Sequence, residues 1–170
     1  MKYRRSEPRQ RRGVAAMELA LVLPLVVLLM FGIWDVGRMV EVEQIVANAA
    51  REGARQAAVG SMLDESTGGQ KNIYTTDIQQ TVLNYLARNG LNTSNVAIQF
   101  QDLSNPGATD PYQADHLDHL RVTVQMPFND VRWTPVNNIL QNNTTQLTGS
   151  ADWFSLKDID VTVSTSLPTN

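Results

Sequence analysis

The chain has 170 residues, a formal net charge of −3 and no cysteine. This length fits one small globular domain plus an anchoring segment, and the lack of cysteine excludes disulfides, thiol redox chemistry and thiolate metal sites. Six of the 14 Lys and Arg residues lie within residues 1–12, so residues 13–170 carry a net charge of −8. An acidic body of this kind argues against nucleic-acid binding, which requires a basic surface.

The basic segment is followed by an apolar segment that is long enough to cross a membrane. Val14–Trp34 has 21 residues, and Glu18 is its only charged residue. As a helix it would span about 31 Å, which matches a hydrocarbon core. The basic flank before this span predicts a cytoplasmic N-terminus and a main body on the other side of the membrane. A cleaved secretory signal fits less well, because its apolar region is usually about 7–15 residues long.

The single carboxylate in the span requires a partner. An ionised side chain at the centre of a membrane helix costs about 2.5–3.5 kcal/mol, and less near the edge. If the chain is cut after Gly13, Val14 acquires a free amine, and Glu18 lies about one helical turn from it. The carboxylate could then neutralise the amine of its own chain or of a neighbouring subunit.

This Gly-x-x-x-x-Glu pattern before an apolar helix resembles the processing site of type IV prepilins. The resemblance makes Gly13, Val14 and Glu18 the candidate processing site. The wider sequence resembles the TadE-like pseudopilins of tight-adherence (Tad) pilus systems, from Arg11 to about Val59. Many members carry an aromatic residue after the glutamate, where this chain has Leu19. The resemblance is carried by RGVAAMELALVLPL at 12–25, Phe31-Gly32 and ANAAREGAR at 47–55.

The resemblance implies a minor pilin or pseudopilin-like subunit that serves the assembly of a Tad-type pilus. The implied partners are a prepilin peptidase that cuts after Gly13, other pilins including TadF-like minor pilins, the inner-membrane assembly platform and membrane lipid. The implied location is the bacterial inner membrane, crossed once, with the C-terminal domain periplasmic or extracellular and incorporation into the pilus as one outcome. The alternative is an uncleaved, signal-anchored envelope protein whose external domain binds a ligand or scaffolds a complex.

The apolar helix is predicted to continue beyond the membrane. Residues 35–59 contain no proline, so one helix from Val14 to Val59 would be about 69 Å long. Ala49, Gly53 and Ala57 recur on one face and favour close packing against another helix or the protein's own sheet, although alanine is also simply a good helix former. Pro24, in mid-span, predicts a kink or a locally loosened helix.

The remaining residues predict a small α+β head. Gly60–Thr75 is interpreted as a loop, and a helix is predicted from a capping box at Thr76–Gln79 to Asn89-Gly90. Alternating apolar residues predict strands near 96–101, 119–126 and 159–164, in an antiparallel sheet with one buried face. No structure is assigned to 127–155. The predicted fold is thus α+β, with a long N-terminal helix, a small helix and a three-stranded antiparallel sheet. Its parts are a leader (1–13), a transmembrane helix (14–34), its continuation (35–59) and the head (60–170).

Catalytic motifs are lacking in the sequence. It contains no Gly-rich phosphate loop, no Gly-x-Ser-x-Gly and no catalytic-triad signature. His116 and His119 lie in Asp115–His119 and are weak candidates for metal ligands, but they have no recognised spacing and we interpret them as solvated loop residues. The sequence therefore predicts no enzyme activity, no cofactor and no metal site.

Overall fold

A computed structural model describes residues 9–64, 68–131 and 145–157, apart from the side chains of residues 9–12 and 63. It confirms the predicted α+β class, with a long N-terminal helix, a second helix and a three-stranded antiparallel sheet. The helices are α1 (Arg9–Val59) and α2 (Thr75–Arg88). The strands are β1 (Ser61–Leu63), β2 (Gln70–Asn72), β3 (Ala97–Asp102), β4 (His119–Pro127) and β5 (Gln146–Phe154).

Helix α1 is one element of 51 residues that lies in two different environments. Residues 13–34 are all exposed, whereas Val42 and Val46 are fully buried in the core. Among the described residues, one helix is long and apolar enough to cross a membrane, namely α1 from Gly13 to Val59. The chain is therefore compatible with a single-pass membrane anchor that continues directly into the core of the head.

The main sheet has the strand order β3–β4–β5, and both pairings are antiparallel. Through β4, Gln99 of β3 is level with Ser150 of β5, because both pair with Thr123. Strand β4 alternates between buried and half-exposed residues along its length, as predicted. Its buried face packs against α1 and consists of Leu120, Val122, Val124 and Met126.

Helix α2 buries the predicted apolar stripe of Ile78, Val82 and Leu86, but it begins differently from the prediction. The capping box at Thr76–Gln79 is wrong, because the helix starts at Thr75. The Asp77 carboxylate accepts a hydrogen bond from the Tyr74 amide at 2.9 Å. Asp110, from a distant loop, accepts one from the Thr75 amide at 2.8 Å. Tertiary structure thus supplies part of the cap.

Two other predictions about the head need correction. The segment Gly60–Thr75 is not simply a loop, since it holds the β1–β2 hairpin. The third strand is β5, which lies within the segment 127–155 that the sequence left unassigned. The strand predicted near 159–164 lies outside the described residues. Of the three inward residues of β5, only Leu147 is large, whereas Gly149 and Ala151 are small. A sequence pattern that requires large apolar side chains at alternate positions therefore does not detect this strand.

Candidate functional site

The predicted processing residues lie near the start of α1. The helix begins at Arg9, so the peptide bond between Gly13 and Val14 is already helical. Gly13 and Val14 are both exposed, and a Cβ built on Gly13 would meet nothing within 4 Å. The described structure therefore leaves this bond open to another protein. Glycine also weakens a helix by about 1 kcal/mol relative to alanine, which favours local unwinding at this position.

Glu18 lies on the exposed part of α1, four residues after Val14. Residues four apart share a helix face, so the carboxylate is on the side where the Val14 amine would be after cleavage. Within the described part of the chain, the ion pairs involve other side chains and leave Glu18 unpaired. The carboxylate is therefore available to an amine, either its own or that of a neighbour.

The row of small residues on α1 packs against the protein's own head. Ala49 and Ala57 are fully buried. A Cβ built on Gly53 would come within 2.8 Å of Val82 in α2 and 3.3 Å of Val122 in β4. A second row of small residues, one position further along α1, is fully buried as well and consists of Ala50, Ala54 and Ala58. Small side chains let α1 approach α2 and the sheet together, so this contact lies inside one chain.

A family model described as TadE-like protein matches residues 13–55. Over this segment, the chain is similar to TadE-like proteins. The match confirms the family resemblance seen in the sequence, and it covers the candidate processing residues, the apolar span and the first part of the buried rows. No curated protein and no solved structure matches the chain. The head beyond residue 55 lies outside the family match, so its role is argued from its own residues.

Pro24 lies within the TadE-like segment, at a point where α1 is helical on both sides. Proline has no amide hydrogen, so the carbonyl of Ala20 lacks its usual helical donor there. The predicted kink stays a prediction. Around Gly32, about two turns past the middle of the span, Leu28, Leu29, Ile33 and Val36 line a shallow apolar surface.

The far end of the TadE-like segment carries a solvated face. Arg55 and Glu52 form an exposed ion pair there at 2.7 Å. Nearer the middle of α1, Arg38 and Glu41 form another at 2.9 Å, in which Glu41 is exposed and the Arg38 side chain is largely buried. Both are i,i+3 pairs, which contribute a few tenths of a kcal/mol to an isolated helix. The same stretch of α1 therefore presents small residues to the core and charged residues to the outside.

The two histidines contact different neighbours. His116 Nδ1 lies 3.1 Å from the backbone oxygen of Lys157, whereas His119 Nε2 lies 3.2 Å from an Asp152 oxygen and its ring stacks on Phe154. Among the described residues, no group of three or more His, Cys, Asp or Glu side chains could hold a metal ion. Nothing in this geometry adds weight to His116 and His119 as metal ligands.

The strongest polar contact on the outer face of the sheet was not found from the sequence. Arg121 of β4 donates two hydrogen bonds to Asp152 of β5, at 2.6 and 2.7 Å. These hydrogen bonds hold the pKa of the Asp152 carboxyl below its usual value. The pairing depends on the register of β4 and β5, so no local sequence signal could reveal it before β5 was placed.

Proposed function

We propose that the chain is a minor pilin or pseudopilin-like subunit that serves the assembly of a Tad-type pilus. The observation that carries the proposal is the position of the TadE-like match. It coincides with an exposed apolar helix whose first turns hold Gly13 and, five residues later, a lone Glu18. The proposed role is structural, so it requires no catalytic site and no cofactor.

In this proposal the basic residues 1–12 stay in the cytoplasm, and α1 crosses the inner membrane once. The head then lies on the periplasmic or extracellular side. A prepilin peptidase cuts between Gly13 and Val14, and the apolar helix stays in the membrane because it lies after the cut. The leader, membrane and extramembrane parts, with boundaries at residues 13, 34 and 59, follow from this topology.

After cleavage, Glu18 neutralises the Val14 amine of its own chain or of an adjacent subunit. Its carboxylate is exposed and unpaired within the described part of the chain, and a charge in hydrocarbon is tolerated best when it is paired. Because the Val14 amine of a neighbouring subunit can also pair with the Glu18 carboxylate, this ion pair favours side-by-side packing of the helices. Other pilins, TadF-like minor pilins and the assembly platform in the inner membrane are the proposed partners.

A second candidate function is an uncleaved, signal-anchored envelope protein whose head binds a ligand or scaffolds a complex. The observation that favours it is the start of α1 at Arg9, which places the proposed cleavage bond inside a helix. A peptidase would have to unwind this turn before cutting. Both candidates share the membrane anchor, and they differ in the fate of residues 1–13.

The deciding experiment is intact-mass and N-terminal peptide analysis of the full-length protein purified from membranes, with and without the cognate prepilin peptidase. We expect a mature chain that begins at Val14 only when the peptidase is present. Gly13→Leu should abolish the cut, while Gly37→Leu, at an exposed glycine of the same helix with nothing within 4 Å, should not. A chain that begins at Met1 in all samples would reject the pilin pathway and favour the signal anchor.

A further inference from the structure

The two outer strands of the main sheet, β3 and β5, have backbone amide and carbonyl groups that point outward in the plane of the sheet, away from β4. Leu103 N–H donates to the His119 carbonyl at 2.8 Å, so the alternation of an antiparallel ladder turns Ile98 and Phe100 away from β4. On the other side, Ser155 N–H donates to the Asp118 carbonyl at 2.9 Å. The same alternation turns the amide and carbonyl of Ser150 outward. Among the described strands, none pairs with these two edges.

The sequences of these two strands also lack the residue types that usually block edge pairing. Natural edge strands are commonly protected by lysine, proline or an unpaired charge, yet β3 (AIQFQD) and β5 (QLTGSADWF) contain no Lys, Arg or Pro. Each has one carboxylate that is already engaged. Asp102 is buried and accepts hydrogen bonds from the amides of Ser104 and Asn105, and Asp152 is paired with Arg121.

The direction of the strands relative to α1 decides which edges can meet. Gly149 of β5 lies beside Ala47, and the Leu156 amide donates to the Ala58 carbonyl at 2.8 Å. Strand β5 therefore runs the same way as α1, away from the apolar half. Strand β3 runs the same way too, because both are antiparallel to β4. With α1 anchored in a membrane, both edges of the sheet then face sideways, toward molecules anchored alongside.

Two copies with parallel anchors, and with α1 on the same face of the joined sheet, can use only one of the possible pairings. Antiparallel pairing of like edges, such as β3 with β3, needs a two-fold axis perpendicular to the sheet, and this axis would reverse the direction of α1. Pairing of β5 with β3 of a second copy needs only a sideways translation, so both helices keep one direction. The resulting strand pair is parallel, and the contact is heterologous, which allows it to repeat in an open row.

We propose that β5 of one head pairs in parallel with β3 of a second copy of this chain anchored beside it. Because Gln99 and Ser150 are level within one sheet, translation without stagger places Ser150 opposite Gln99 of the second copy. The Ser150 amide then donates to the Ile98 carbonyl of that copy, and its carbonyl accepts from the Phe100 amide. A short strand pair is weak by itself, and confinement by the anchors raises its effective concentration.

The test uses the full-length chain in native membranes, where introduced thiols are unique because the chain has no cysteine. Gln99→Cys and Ser150→Cys are expressed singly, together in one chain, and as a mixture of the two single variants. After mild oxidation, we expect a disulfide-linked dimer from the mixture, a ladder from the double variant, and monomer from either single variant. Adjacent strands lie about 4.8 Å apart, which suits a disulfide.

The matched control is Gln99→Cys mixed with Gln146→Cys. Gln146 is exposed on the same face of β5, but it lies about 13 Å from Ser150 along the strand, so it should give no dimer. Three results would overturn the inference. They are a dimer from Gln99→Cys alone, which means pairing of like edges; a cross-linked product with a different protein; or no dimer from the mixture although both variants insert at wild-type levels.

The inference rests on the membrane anchoring in the proposed function and not on cleavage after Gly13. The cross-linking is therefore also carried out in cells without prepilin peptidase, and the N-terminus is determined in the same samples. Dimer formation by chains that still carry residues 1–13 would support the edge pairing independently of processing. Correct processing with no dimer would reject the edge pairing and leave the proposed function standing.

Discussion

Gly149 of β5 lies directly against the backbone of Ala47 in α1: a Cβ built on Gly149 would come within 2.7 Å of the Ala47 amide nitrogen. At this point the helix and the sheet meet without an intervening side chain. The contact joins the helix that carries the apolar segment to the strand at the edge of the main sheet.

Gly149→Val should destabilise the head strongly. The added atoms meet backbone rather than a flexible side chain, so helix and strand must move apart, and overpacking of this kind costs about 1–3 kcal/mol or more. Chemical denaturation of the full-length protein in detergent measures the loss. The control is Ser150→Val, at the next residue on the exposed face of β5, which should change stability by less than about 0.5 kcal/mol. Equal stability of the two variants would contradict the close contact.

Gly53→Val should also destabilise the head, but a second substitution should restore part of the lost stability. The nearest atom to the new Cβ is Cγ2 of Val82, at 2.8 Å, and Val82→Ala removes it. We expect a loss of about 1–3 kcal/mol for the single variant and a favourable coupling of at least about 0.5 kcal/mol in the double variant. Gly37→Val is the control. It measures the effect of a Gly-to-Val change on the helix without a packing contact, since nothing lies within 4 Å of that glycine. Strictly additive effects of Gly53→Val and Val82→Ala would argue against direct contact.

Glu18→Ala should leave membrane insertion intact and impair pilus assembly. The substitution leaves the Val14 amine without a partner, and an uncompensated buried charge costs about 3–5 kcal/mol. Since about 1.4 kcal/mol corresponds to a tenfold change, assembly should fall at least tenfold. Counting pili by electron microscopy, with membrane fractionation in parallel, measures both outcomes. Glu43→Ala, at an exposed residue of α1 beyond the span, should assemble normally. Normal assembly by Glu18→Ala would show that the pairing is unnecessary.

The Arg121–Asp152 pair should contribute to stability only above acidic pH. Because Arg121 lowers the pKa of Asp152 in the folded state, the contribution is fully present above the unfolded value near 3.9. It is lost as the pH falls through the lower folded pKa. Carboxyl NMR titration of the protein in micelles should show the Asp152 pKa rising toward its usual value in Arg121→Gln. The control Thr123→Gln, two residues along β4, should leave the lowered pKa of Asp152 unchanged. An unchanged titration in Arg121→Gln would mean that the pair does not form in solution.

Much of the fold follows from local sequence patterns. Helix α1 was predictable because its apolar run passes without a break into small and charged residues, and β4 because four large side chains alternate with polar ones. Strand β5 was not predictable, since its inward positions include Gly149 and Ala151. These residues are small because α1 packs closely against them. This packing belongs to the tertiary structure, so the local sequence does not reveal it.

The candidate processing residues were found from the sequence alone, because Gly13 and Glu18 depend on spacing and on the apolar run that follows. The family match over residues 13–55 covers the same residues. The spacing of the small-residue rows did not reveal their packing partner. It suits a neighbouring helix and the protein's own sheet equally well. The structure shows that the head occupies this face of α1.

Helix α1 runs without interruption from Arg9 to Val59, and its second half lies in the core of the head. No flexible linker therefore separates the apolar half from the folded domain. Tension applied along the apolar half is transmitted straight to the buried contacts that begin at Val42. The mechanical strength of the protein is then set by the strength of the contacts between the helix, the sheet and α2. A force large enough to separate the helix from these elements would unfold the head.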